Sequence, residues 1–98
     1  MKIDQVKNEK ALTIALEGRL DTTTAPQLES ELKTALAGVE ALTFDFEKLE
    51  YLSSAGLRVL LSAQKVMNRQ GSMKVIHVNE MILEIFEVTG FADVLTIE

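Results

Sequence analysis

Ninety-eight residues, 47% hydrophobic and 26% charged, describe one soluble globular domain rather than a disordered chain or several domains. A formal charge of −5 with no Lys/Arg cluster excludes a generic nucleic-acid binder, which needs a basic patch for phosphate; five aromatic residues without tryptophan exclude a base-stacking surface. The lack of cysteine removes disulfides, thiolate metal sites and cysteine nucleophiles together. No apolar run is long enough to span a membrane, and "MKIDQVKNEK" has no signal-peptide core, so the expected address is the cytoplasm and no membrane partner is expected.

Two apolar–polar alternations open the chain. "KIDQV" and "ALTIALEG" flank the polar link "KNEK", where Asn8 favours a turn, and Leu12, Ile14 and Leu16 share one face. They predict a hairpin, or at least neighbouring strands. The period then changes: Thr24 and Gln27 have capping-box spacing, Pro26 suits a first helical turn, and Leu28, Leu32, Ala35, Leu36 and Val39 recur at helical spacing up to a stop at Gly38. "ALTFDFEKL" predicts a strand with Leu42, Phe44 and Phe46 on one face and Asp45 on the other.

A second helix is predicted from about Ala55–Gly56. Leu57, Leu60, Leu61, Gln64 and Met67 trace its face, Val59, Ala63 and Val66 widen it, and "NRQG" ends it. The Leu57/Leu60/Leu61 stripe is expected in the core, at roughly 1.5–3 kcal/mol for each side chain fully buried. "SMKVIHV" predicts a strand, Asn79 a cap for a third helix carrying Ile82, Ile85 and Phe86, "TG" its end, and "VLTIE" a last strand. The four methionines are expected to fill gaps in the core. Strands alternating with helices imply an α/β fold with a mainly parallel sheet of four to five strands, an antiparallel N-terminal strand and three main helices.

Residues capable of chemistry are few. His77 is the only histidine and falls in a strand pattern, with no partner ligand evident for a metal and no plausible triad with the distant Ser54. Glu29, Glu31, Glu47 and Glu50 read as a solvated surface. "SSAGL" has neither the lysine nor the spacing of a phosphate-binding loop. That leaves Ser53 and Ser54 at the start of the second helix. One of them is expected to cap it, worth about 1 kcal/mol, and a phosphate on Ser54 would face a helix N-terminus, where unpaired N–H groups and the helix dipole favour negative charge. That dipole gain is only about 0.3–1 kcal/mol, too little to refold a domain. A phosphate adding about −1.5 to −2 charges would instead disrupt a protein interface centred there.

Three segments in order, "LEGRLDTTTAPQLE", "LTFDFEKLEYLSSAGLRVLL" and "IFEVTGFADVLTI", resemble the STAS domains, and within them the bacterial anti-sigma factor antagonists. The resemblance spans residues 1–98 as one STAS-type domain. It implies a non-enzymatic, cofactor-free partner switch that binds an anti-sigma factor serine kinase, frees a sigma factor for transcription, and is reset by a PP2C-like phosphatase. It places the phosphate acceptor at Ser54 (Ser53 being the less favoured alternative) and a partner surface at Asp21, Thr22, Thr23, Ser53, Ser54, Ala55, Gly56 and Leu57. The family often carries Asp where this chain has Ser53. The resemblance therefore leaves open a constitutive scaffold or regulatory subunit, as in lipid-transport or stress-signalling complexes, without a phosphorylation cycle.

Overall fold

The computed structural model describes residues 1–98. A four-stranded sheet is built from β1 (Lys2–Asn8), β2 (Ala11–Leu20), β3 (Ala41–Leu52) and β4 (Ser72–Ile76) in that spatial order. β1 is antiparallel to β2; β2, β3 and β4 are mutually parallel. The hairpin turns on Glu9, whose φ of +58° takes the left-handed position, so Asn8 stays in the strand. Each parallel strand is followed by a returning helix: α1 (Ala25–Ala35), α2 (Ser54–Gln70) and α3 (Glu80–Thr89). All three helices thus begin at the same edge of the sheet, the end where functional sites of open α/β sheets lie. No helix is long and apolar enough to cross a membrane.

The alternating strand residues Leu12, Ile14, Leu16, Leu42, Phe44, Phe46, Met73 and Val75 supply one wall of a 24-residue core. The buried stripes of the helices, among them Leu28 and Leu32, Leu57, Leu60 and Met67, and Ile82 and Phe86, supply the other.

β3 runs through "EKLEYL", beyond the strand its alternation suggests. Two irregularities, each leaving an extra residue on β3 opposite β2, reset its register, so burial passes from Phe46 to Leu49 to Leu52 at steps of three. α1 ends at Ala35, with Leu36 and Val39 buried in the turn that follows, and Gln70 Nε2 donates to both of their carbonyls at 2.7 and 2.6 Å. Gly71 follows, where a Cβ would collide with the Glu40 carbonyl, leaving space only for glycine.

Several expectations change. Thr24 precedes α1 without capping it, and no capping box forms, because its hydroxyl is engaged in the preceding turn. α2 starts at Ser54 rather than at Ala55–Gly56. Leu61 is only half-buried, since it lies at the margin of the α2 core stripe. Of the four methionines, Met81 is exposed. β4 stops at Ile76, because His77 adopts a φ of +58°. "VLTIE" is reduced to one parallel bridge, Val75 to Ile97, with Val75 N–H donating to Thr96 O and Glu98 N–H to Val75 O.

Candidate functional site

The start of α2 is set by Ser53, extended at φ −98° and ψ 175°, whose Oγ accepts the Gly56 amide at 3.5 Å. Ser53 N–H donates to Leu20 O at 2.9 Å, and Leu20 pairs with Leu52 across β2 and β3. These contacts fix the end of β2, and hence the turn beginning at Asp21, beside the two serines. Ser54, the first residue of α2, is exposed, and Ser53 is partly covered.

Gly56 lies beneath them. A Cβ there would stand 2.7 Å from both Leu20 Cγ and Leu52 Cδ1, so the helix start rests directly on the strand ends. Leu57 is buried alongside. Of the positions implied by the resemblance, Gly56 and Leu57 therefore support the surface from below, whereas Thr22, Thr23 and Ser54 are on it.

The Asp21 turn is internally bonded. Asp21 Oδ1 accepts the Thr23 hydroxyl at 2.7 Å and the Thr23 and Thr24 amides at 3.0 and 3.2 Å. The Thr23 hydroxyl and amide hold the Asp21 carboxyl below its ordinary range; partial burial opposes them, and Thr24 adds to them. Thr24 Oγ1 donates to Arg19 O at 2.8 Å and accepts the Asp21 amide at 2.8 Å. Arg19 pairs with Asp21 Oδ2 at 3.7 Å and lies 4.2 Å over the Tyr51 ring, opposite it in the sheet. The result is an internally bonded turn whose ionised carboxylate is shared with Arg19 at the sheet edge.

A groove of about 280 Å³ joins this turn to α2, lined by Thr22, Pro26 and Glu29 on one side and Ala55, Arg58 and Val59 on the other. Arg58 is exposed and in no ion pair. It was not singled out in the sequence, although its i+4 spacing from Ser54 places the two on one helix face.

In the link between β4 and α3, His77 Nδ1 lies 2.9 Å from Asp45 Oδ1 of β3. The hydrogen bond to Asp45 raises the His77 pKa against partial desolvation; burial works upward on Asp45, but the His77 bond and the Glu47 amide bring it below its usual range. Ligand atoms of Asp45, Glu47 and His77 lie within 4.8 Å of one another, so His77 does have potential co-ligands, which sequence separation concealed. With Nδ1 engaged by Asp45 and two of the three residues exposed, the geometry is that of a surface ion pair.

Residues 3–96 match the family described as "Mlab, STAS domain". The chain is 33% identical to BtrV of Bordetella bronchiseptica, provisionally named an anti-sigma factor antagonist, over 99% of this chain and 85% of that protein. It is 26% identical to the anti-sigma-B factor antagonist of Bacillus subtilis, over 99% of this chain and 90% of the relative. The fold is shared with the Bacillus anti-sigma factor antagonist SpoIIAA, at 18% identity over 99% of this chain. The TM-score is 0.78 for its unphosphorylated form, over 87% of that chain, and 0.77 for its phosphorylated form, over 91%.

Proposed function

The chain belongs to the STAS domain family, and on that premise we propose that it is an anti-sigma factor antagonist regulated at Ser54. Its partner is an anti-sigma factor serine kinase in the cytoplasm. The unphosphorylated protein holds that kinase through Asp21, Thr22, Thr23, Ser53, Ser54 and Ala55, with Gly56 and Leu57 as the platform beneath, and so releases a sigma factor. It catalyses nothing itself: the kinase phosphorylates Ser54, and a PP2C-like phosphatase restores it.

The observation that carries this reading is the exposed Ser54 hydroxyl on the first residue of α2, beside the charged Asp21 turn. A phosphate there sits at a helix N-terminus, so the fold accommodates it, while its charge falls in the middle of the proposed interface. Every 1.4 kcal/mol of added repulsion or desolvation weakens binding about tenfold. The test is mass measurement after incubation with the cognate kinase, ATP and Mg²⁺. One phosphoryl group is expected on the wild type and on Ser53→Ala, and none on Ser54→Ala. Ser54→Asp should weaken kinase binding at least about tenfold while leaving the melting temperature nearly unchanged.

Ser53, where the resemblance leads one to expect Asp, favours a second reading, a constitutively docked subunit. In that case the partner binds Ser54→Ala and Ser54→Asp equally, and no phosphoryl group is gained.

A further inference from the structure

The whole net charge of the protein sits in its last twenty residues. Residues 79–98 contain five of the fifteen Asp and Glu and none of the ten Lys and Arg, so residues 1–78 are balanced at ten against ten. Within that acidic segment, α3 arranges its side chains in three lines. Ile82 and Phe86 enter the core. Met81, Ile85 and Val88, at i, i+4 and i+7, form an outer apolar line; Met81 is 48% and Val88 80% exposed. Together with Glu84 and Thr89 they line a shallow groove. Glu80, Glu84 and Glu87 form a parallel line with the same spacing, about 100° round the helix.

Only part of these lines serves the domain itself: Ile85 is half-buried against the core, and Glu80 stands in the first turn, at the positive end of the helix dipole. The three glutamates make no ion pair, Glu80 and Glu84 repel at i, i+4, and Glu87 stands near the negative end of the helix dipole. The apolar line runs about 10 Å along the helix and is open to solvent at its two ends, Met81 and Val88. An apolar line beside a line of one charge is the surface that an amphipathic helix of opposite charge recognises.

We propose that the outer face of α3 is a docking surface for an amphipathic helix of another protein, which lays apolar residues on Met81, Ile85 and Val88 and Lys or Arg over Glu80, Glu84 and Glu87. The surface is independent of Ser54 and of the partner-switching reading. A membrane is a poor occupant, because the acidic line would repel anionic lipid.

The test titrates isotope-labelled protein with a synthetic helical peptide bearing Leu at i, i+4 and i+7 and a flanking line of Lys, and with its twin carrying Glu in place of Lys. The expected result is amide shifts confined to residues 79–90 and at least about tenfold tighter binding of the Lys peptide, weakening as salt rises. Met81→Ser with Val88→Ser should abolish binding, and Glu84→Lys with Glu87→Lys should reverse the preference between peptides. Both pairs are exposed, and an unchanged thermal melt verifies the fold. Equal binding of the two peptides, shifts centred elsewhere, or binding that survives Met81→Ser/Val88→Ser overturns the proposal. So does self-association that the same double substitution dissolves, since the face would then be covered by a second copy.

Discussion

The starts of α2 and α3 have the same framework and opposite finish. Both follow a parallel strand, and both are capped by an extended residue, Ser53 at ψ 175° and Asn79 at ψ 169°, that accepts the amide three residues on. Asn79 is fully committed: its Oδ1 takes the Ile82 amide at 2.9 Å and its Nδ2 donates to Leu49 O at 3.2 Å. Ser53 is loosely bonded at 3.5 Å and is followed by a second, exposed hydroxyl. The third helical residue differs as well. In α3 it is Ile82, anchored in the core; in α2 it is Gly56, which lets the helix start rest on Leu20 and Leu52. One start is closed by its own side chains, and the other is held from below with its surface left free.

The two third positions give the largest expected effects, in opposite chemical directions. Ile82→Ala should cost about 2–5 kcal/mol by leaving a cavity, and Gly56→Val about 1–3 kcal/mol by overpacking against two leucines. Chemical denaturation measures both, with the slope unchanged if only stability moves. Equal tolerance of Gly56→Val and a surface substitution would mean that the start of α2 does not rest on Leu20 and Leu52.

The caps come next. Asn79→Ala should cost about 2 kcal/mol, since it also strips a partner from Leu49 O, whereas Ser53→Ala should cost about 0.5 kcal/mol for a bond at the limit of hydrogen-bond geometry. A reversal of that order would remove the distinction between a closed and a free start.

The smallest effect lies in the chain leading into α3. His77 has its pKa raised above 6.5 by Asp45, so the stability contributed by the pair is complete below about pH 6.5 and is lost as pH rises through the higher folded value. The melting-temperature advantage of wild type over His77→Gln should therefore be largest at about pH 5.5 and shrink by about pH 8.5. An advantage independent of pH over that range would show that the Asp45 contact carries no charge.

Much of this was legible in local pattern. The β2 alternation, the core stripes of α1, α2 and α3, the Asn79 cap and the Gly90 stop all follow from periods of 2 and 3.6 and from single-residue chemistry. The capping box was not, because Thr24 Oγ1 has nearer partners in Arg19 O and the Asp21 amide, which only the turn geometry brings into reach. Nor was the full length of β3: its two irregularities replace a spacing of two with three, which in sequence looks like the end of the alternation.

The sequence by itself determined the fold class, the family resemblance and the short segment in which a hydroxyl would meet a helix start, because each depends on residues close together along the chain. Tertiary structure decided which serine caps and which is free, why position 56 is glycine, that the Asp21 turn and Ser53 share one edge, and that His77 has Asp45 as a partner 32 residues away. It also showed that α3 turns an apolar line and an acidic line outward, although its sequence is apolar enough to pass for a buried helix. Those outcomes depend on which surfaces the parallel sheet brings into contact, and no local spacing encodes that.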